Sequence, residues 1–486
     1  MSVILTVLTV IYIACYMGLA IFSLSIFILI VLWWIHRGQD DILDGSSVTD
    51  WPGVTVQLPI YNESAVVERL ICAVSNMDYP LNRLHIQVLD DSTDHTTHIL
   101  QKLITDQRTR GVNISLVRRE TRQGYKAGAL ENGLTETPHD LIAIFDADFV
   151  PPPDFLKKTI PYFLDDPKLG ILQCRWTHIN AEQNLITRSQ AMSIDGHFVV
   201  EQSARNRANL LLSFNGTGGV WRRDAIEQSG GWYGGTLAED LDLSYRAQMA
   251  GWHYKYLCQM AVPAELPPQI AAYKIQQARW AKGTTQTLLR LLSDLWHSSN
   301  INIVQKLMGT VHLCQYIPQP LLLIMTLISP ILIWFGILQQ LPLAFFGIVG
   351  LSAPMMYVIS QFQLYSDWRK RLIAFPLLVA IGSGIMFNNT VAVLEAVFKR
   401  DLEFERTPKF INAKWYESPY ALAPDWKLYV EILLMIYTAA SGLISLELLP
   451  GMVLFFWGQT IGLAAVVLWG FTEKQKIFVM RSTTVR

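Results

Sequence analysis

The first 35 residues carry no charged side chain, and the run from Val3 to Ile35 would extend about 50 Å as one helix, beyond the roughly 30 Å hydrocarbon core of a bilayer. It predicts one tilted or protruding span, closed by the interfacial residues Trp33, Trp34, His36 and Arg37. With no early Lys or Arg and an apolar run too long for a signal sequence, the segment reads as a retained anchor. Polar residues then prevail to about Thr310, interrupted by short β-branched runs at 54–58, 86–89, 114–117 and 141–145, each followed by a helix-compatible stretch. Strands alternating with helices predict βαβ units and a mostly parallel sheet. Apolar tracts return at 313–338, 341–365, 372–398, 428–449 and 453–471. The 372–398 tract holds Pro376, Gly382, Gly384, Asn388 and Asn389 in its middle, so it is expected to be broken, re-entrant or interfacial.

The basic clusters Arg369-Lys370-Arg371, Lys399-Arg400, Arg406 with Lys409, and Lys474, Lys476, Arg481 and Arg486 read as cytoplasmic. The expected organisation is a membrane helix over 1–36, a cytosolic domain over 37–310 and a transmembrane region over 311–486 whose 399–426 loop is cytosolic. Five firm spans (the anchor, 313–338, 341–365, 428–449 and 453–471) leave the N-terminus outside and the C-terminus in the cytosol.

Composition sharpens this picture. Of 486 residues 51% are hydrophobic and 16% charged, against roughly 45–50% and 25% in an average soluble domain. That excludes a plain soluble enzyme, a fibrous chain and a disordered one. The formal net charge of −1 gives no electrostatic reason to expect nucleic acid as a partner. Cys15, Cys72, Cys174, Cys258 and Cys314 form no C-x-x-C pair and read as reduced structural thiols. The histidines show no metal-binding spacing, and the N-x-Ser/Thr sites at Asn62, Asn113 and Asn215 fall in the expected cytosolic domain and should be unmodified.

Polar clusters stand just past predicted strand ends: Tyr61-Asn62-Glu63, Asp90-Asp91-Ser92-Thr93-Asp94 and Asp146-Ala147-Asp148. In a parallel sheet such ends converge on one crevice. Carboxylates gathered there repel unless a cation joins them, and the hard oxygens of Asp146 and Asp148 suit Mg2+ or Mn2+. Asp-x-Asp-x-Val after an apolar strand also opens the haloacid-dehalogenase-type phosphatases, with the first Asp as nucleophile. That chemistry needs a later G-D-x-x-x-D loop, and Gly235-Thr236-Leu237-Ala238-Glu239-Asp240 does not supply the spacing.

An ordered set of motifs runs through the polar block: Leu58-Pro59-Ile60-Tyr61-Asn62-Glu63, the 87–94 stretch, Gly124-Tyr125-Lys126-Ala127-Gly128, Phe145-Asp146-Ala147-Asp148-Phe149, the 214–222 stretch Phe-Asn-Gly-Thr-Gly-Gly-Val-Trp-Arg, Ala238-Glu239-Asp240-Leu241-Asp242, and Gln276-Gln277-Ala278-Arg279-Trp280. In this order they resemble the family 2 glycosyltransferases, most of all the cellulose-synthase-like plant A and C groups and their bacterial relatives, which make β-linked mannan or glucan. The resemblance implies a GT-A type, Rossmann-like α/β domain joined to an α-helical transmembrane region. Tyr61, Glu63 and Asp91 would contact the nucleoside, and Lys126 and Asp146 the donor diphosphate. Asp146 and Asp148 would hold the metal, Asp240 would be the general base, and Glu239, Gln276, Gln277, Arg279 and Trp280 would meet the acceptor.

Residue chemistry agrees with those roles. An acceptor hydroxyl is a poor nucleophile at neutral pH, so a positioned carboxylate such as Asp240 is useful. Arg279 offers paired donors for phosphate oxygens, and Trp280 a flat face for a sugar ring or, alternatively, an interfacial anchor. Asp242 could start the helix that follows. Gly216-Thr217-Gly218-Gly219 lacks the spacing of a dinucleotide loop and reads as a tight turn under the acceptor. Phe404-Glu405-Arg406-Thr407-Pro408-Lys409 resembles the gating segment Phe-x-Val-Thr-x-Lys of cellulose synthases, with Arg406 in place of Val; a basic loop binding anionic lipid is the other reading.

The expected function is therefore inverting hexosyl transfer (class 2.4.1) from UDP-glucose or GDP-mannose, processive and feeding a passage through the C-terminal helices. The alternative is transfer of one sugar to a lipid acceptor. A transporter with a nucleotide-sensing domain would carry two symmetric halves, and none is visible. Sequence leaves the donor sugar, the linkage and any accessory subunit open.

Overall fold

The computed structural model describes residues 2–38, 43, 48–341, 349–399, 407, 421, 422 and 425–484. The four β-branched runs form β1 (Val54–Ile60), β2 (Leu84–Asp90), β3 (Ile114–Val117) and β4 (Leu141–Ile144), paired in parallel in the order β3-β2-β1-β4. β1 and β4 are almost wholly buried, as strands covered by helices on both faces must be, which accounts for their unbroken apolar character. The polar exceptions pair with each other: Gln57 and Gln87 are register neighbours, joined by a 2.9 Å hydrogen bond.

Three strands that the hydrophobic pattern did not single out complete the sheet. They are β5 (Leu169–His178), β6 (Gly219–Arg222) and β7 (His253–Ala264), and the full order is β3-β2-β1-β4-β6-β5-β7. β6 runs antiparallel to both neighbours, so the sheet is mixed but mostly parallel. Helices α2 (Val67–Ser75), α3 (Thr96–Thr109) and α5 (Phe155–Asp165) cover one face, packing Leu70, Leu100 and Phe155 on Val54, Val56 and Leu58. Helices α4 (Tyr125–Thr135), α8 (Arg223–Gln228) and α9 (Glu239–Met249) cover the other, packing Leu130, Ile226 and Leu243 on Ile142, Ile144 and Trp221.

α1 (Ser2–Ile35) is one uninterrupted helix. Its Leu29, Ile30 and Trp33 meet Val199, Val200 and Ala204 of the polar domain, where α6 (Leu185–Gly196) passes through a π-helical turn (His197–Gln202) into α7 (Ser203–Arg207). After β7 come α10 (Ile270–His297), α11 (Ile303–Leu313) and α12 (Pro318–Trp334). The expected boundary at 310/311 falls inside α11 rather than between elements. Next are α13 (Ser352–Leu364), α14 (Trp368–Arg371), α15 (Phe375–Gly384), α16 (Met386–Phe398), α17 (Lys427–Leu448) and α18 (Val453–Thr484).

Among the described residues three helical segments, Val3–Ile35, Lys427–Leu448 and Pro450–Phe478, are long and apolar enough to cross a membrane, or up to five if each bent pair is one span. Ile303–Leu313 with Pro318–Trp334 bends by 60°, and Trp368–Gly384 with Met386–Phe398 by 43°. The second bend falls within the tract expected to be broken, and its halves pack on α6 and α10. Of the expected 341–365 span, the described helix α13 has 13 residues, about 20 Å at 1.5 Å each and short of a crossing; residues 342–348 lie outside the described residues. α18 continues well past Phe471, so Glu473 is part of a helix.

Candidate active site

β1, β2 and β4 end side by side, and the loops that leave them are tied together. Asn62 adopts φ 55°. Its amide donates to Ser92 Oγ at 2.9 Å, and its Oδ1 accepts from the Thr93 amide at 2.9 Å. Beyond these ends lies a cavity of about 480 Å³, also walled by β5, α6, α10 and the α11–α12 corner. Tyr61, Glu63, Asp91, Lys126, Asp146, Asp148, Glu239, Asp240, Gln276, Gln277, Arg279 and Trp280 all line it. The structure thus brings the expected donor, metal, base and acceptor residues to one place.

At one end, Arg119 grips Asp91 through Nε at 2.8 Å and Nη2 at 2.5 Å, while the Arg122 guanidinium lies 3.4 Å over the Tyr61 ring. Lys126 stands in the first turn of α4, behind Gly124 in the left-handed conformation. Its Nζ donates to Asp146 Oδ1 at 2.5 Å and to the Gly216 carbonyl at 2.8 Å. The Asp146 amide is held at 2.9 Å by Thr217 Oγ1, so the Gly216–Thr217 turn, with Gly216 at φ 81°, fixes both members of that pair.

Asp146, Asp148, Glu239 and Asp240 all act on Arg279, and three of them on Lys126, so four carboxylates face two cations. Burial alone would lower the Lys126 ammonium, but Asp146, Glu239 and Asp240 outweigh it and raise the group. Glu239 is pushed up to about 7 by burial and by Asp240, with Lys126 opposing. Asp240 is raised too, by burial first, again opposed by Lys126. This is a crowded negative corner, chemically suited to a hard cation. Among the described residues no group of three or more His, Cys, Asp or Glu is arranged to hold an ion unaided. A site of two carboxylates completed by substrate phosphates is the usual arrangement for Mg2+.

Helix α9 begins at Glu239, with Asp240 in its first turn and Asp240 Oδ1 on the Leu241 amide at 2.8 Å. Asp242 stands in the same first turn, as expected of a residue at the helix start, with its side chain fully buried and paired with Arg246 and Arg290. Helix α10 crosses close by, for a Cβ on Gly283 would stand 2.8 Å from the Ala238 amide nitrogen. Gln286 Oε1 accepts from the Leu237 amide at 3.0 Å.

Several residues at the site were not singled out from the sequence. Arg122 on the wall, and Arg119, which holds the wall residue Asp91, lie in the basic run before Gly124, a usable but weak hint. Trp176 and His178 sit at the cavity end of β5, a strand not anticipated; burial holds the His178 imidazole neutral, lowered to about 3. His197 and Glu201 come from the π-helical turn. Glu201 binds His197 Nδ1 at 2.9 Å and Arg205 Nε at 3.0 Å; burial would raise its carboxyl, but Arg205 and His197 outweigh burial and lower it. Of the 404–409 segment only Thr407 lies within the described residues; it is buried and faces the cavity.

Residues 52–283 match the glycosyltransferase-like family 2 model. They are a family 2 glycosyltransferase domain. The match covers all seven strands. Glucomannan 4-beta-mannosyltransferase 7 of Arabidopsis thaliana is 42% identical over 272 residues, which cover 55% of this chain and 49% of that protein. Glucomannan 4-beta-mannosyltransferase 1 of Oryza sativa is 40% identical over 273 residues, covering 55% and 52%. The chain spans about half the length of these curated relatives. The fold is shared with a mannosyltransferase from Pyrobaculum calidifontis, solved in complex with GDP-Man and Mn2+: TM-score 0.57, 19% identity, covering 81% of this chain and 100% of that one. In the glycosyltransferase domain the GT-A expectation is thereby met.

Proposed function

We propose that this chain is a membrane-embedded, inverting hexosyltransferase that carries mannose from GDP-mannose onto a growing β-linked mannan or glucomannan. The observation that carries the reading is the single cavity on which the expected donor, metal and acceptor residues meet. The names of the curated relatives favour mannose over glucose.

In this reading Tyr61, Glu63 and Asp91 bind the nucleoside, with Arg119 holding Asp91 in place. Lys126 binds the diphosphate. Asp146 and Asp148 hold Mg2+ or Mn2+, which when bound neutralises charge growing on the leaving diphosphate. Asp240 takes the proton from an acceptor hydroxyl. The acceptor oxygen bonds to the anomeric carbon as the bond from that carbon to the diphosphate oxygen breaks, inverting the centre. Glu239, Gln276, Gln277, Arg279 and Trp280 orient the acceptor, Trp280 by stacking on its terminal ring. The domain works from the cytosolic face beside the membrane helices.

The deciding experiment is to incubate membranes holding the full chain with labelled GDP-mannose and to size the product. Long polymer is expected; a lipid-extractable monoglycoside alone, or incorporation only from UDP-glucose, overturns the reading. Asp240→Asn should lower turnover by about 10² to 10⁴-fold while nucleotide binding persists. Chelation should abolish transfer, with recovery on adding Mg2+ or Mn2+. Because a base works only when ionised and the Asp240 carboxyl is raised, the acid limb of kcat/KM should lie above the value of about 3.9 of a solvent-exposed aspartate.

A further inference from the structure

Helix α10 carries Gln276, Gln277, Arg279 and Trp280 to the cavity and, through Gly283 and Gln286, braces the backbone just before Glu239 and Asp240. Whatever sets the position of α10 therefore sets the acceptor wall and the proposed base together.

Its own N-terminus is not capped from within the catalytic domain. The residue before the first turn, Gln269, makes no side-chain cap; its fully buried amide side chain is spent on the backbone of Leu422 in both directions. The cap comes instead from α18, the last apolar helix. Glu473 Oε1 accepts from the Ile270 amide at 2.6 Å and Oε2 from the Ala271 amide at 3.3 Å, and the Glu473 residue is 2% exposed. A carboxylate there satisfies two unpaired amides and complements the positive end of the helix dipole.

One turn further on, α17 and α16 take hold. Lys274 Nζ meets Glu431 Oε1 of α17 at 2.6 Å, and the Glu431 side chain is 0% exposed. The Lys274 carbonyl accepts from Asn388 Nδ2 of α16 at 3.0 Å, and Asn388 Oδ1 accepts from Lys427 Nζ of α17 at 3.2 Å. Three helices of the apolar C-terminal region thus grip the first two turns of α10 through polar contacts, each specific in direction, within ten residues of Trp280.

We infer that Glu473, with the Lys274–Glu431 pair, is a positioning residue of the transferase: the C-terminal helices set the register and tilt of α10, and so the geometry of the acceptor wall. The inference rests on reading α10 as the acceptor helix. None of these groups reaches the cavity, so their effect passes through α10 alone, and the donor end, built on β1, β2 and α4, is not coupled to them.

The test uses the full chain in membranes or nanodiscs. Glu473→Ala should lower kcat by between about tenfold and a hundredfold, the scale of a misplaced reacting group, with the donor KM and GDP affinity unchanged. Glu473→Gln, which keeps an acceptor for one amide, should recover most of the loss. Should Glu473→Ala fail to accumulate, Glu473→Asp, whose carboxylate is one methylene short of the amides, carries the same comparison. An unchanged kcat overturns the inference, as does a parallel loss of kcat, donor KM and GDP affinity, which marks a general structural lesion. Trp280→Ala separates the two readings: if it also leaves transfer intact, α10 is not the acceptor helix. If Trp280→Ala abolishes transfer and Glu473→Ala does not, only the coupling falls.

Discussion

At Gly216 the backbone takes φ 81°, and a Cβ there would stand 2.9 Å from Asp240 Oδ2 and 3.3 Å from Lys126 Nζ. The turn can pass between Asp240 and Lys126 only without a side chain, and its carbonyl then anchors Lys126. Gly216→Ala is expected to fold, bind GDP and lose about a hundredfold in transfer rate, measured against wild type in the same membranes; equal rates would show that the turn tolerates displacement. At this scale much of the site was legible. Asp146, Asp148 and Asp240 announce themselves because carboxylates follow directly on an apolar strand or stand at a helix start. Arg119 was not: that it would bind Asp91 across 28 positions depends on how β2 and the segment after β3 lie in space. Nothing local encodes that.

Among elements, periodicity announced the four parallel strands because burial on both faces demands continuous apolar runs. β5, β6 and β7 escaped for the converse reason. β7 is mostly half-exposed, β5 turns polar where it enters the cavity, and β6 has four residues. The helix crossings in the apolar region are also a matter of particular contacts. α15 and α18 meet at Gly384 and Gly462: an added Cβ on Gly462 would strike the Ala380 carbonyl oxygen, and one on Gly384 the Gly462 carbonyl oxygen. Such small-residue contacts let helix backbones approach closely. Gly462→Leu should cost about 1–3 kcal/mol or more through overpacking, read as a lower thermal midpoint of the detergent-solubilised protein. Gly458→Leu on the same helix, where a Cβ meets nothing within 4 Å, should leave the midpoint unchanged and serves as the control. Equal midpoints for the two variants would refute the contact.

For the whole molecule, the sidedness argued from the basic clusters has a direct chemical test. Cys72 on α2 is exposed, whereas Cys15 and Cys174 are buried and Cys258 and Cys314 are partly covered. A membrane-impermeant maleimide should label Cys72 rapidly in inverted vesicles and leave it unlabelled in sealed right-side-out ones. Labelling from the outer face would reverse the proposed orientation and with it the supply of cytosolic nucleotide sugar. The same scale explains why the apolar tracts were easier to find than to assign. A run of twenty apolar residues fixes hydrophobicity, but whether it crosses, bends or lies at the surface depends on its neighbours. The 43° bend before Met386 lies where one half packs on α6 and the other on α10.

The amino-acid order alone was enough to specify a parallel α/β core flanked by apolar helices, and to specify which carboxylates leave the strand ends. Both follow from short-range causes: side-chain periodicity, burial on two faces, and charge placed where a strand stops. Only the tertiary structure decided that the last apolar helix caps the helix bearing Trp280, that a π-helical turn contributes Glu201 to the cavity wall, and that Gly216 separates Asp240 from Lys126. These are encounters between residues up to 203 positions apart. Their partners are chosen by packing of the whole chain, and no local pattern records that choice.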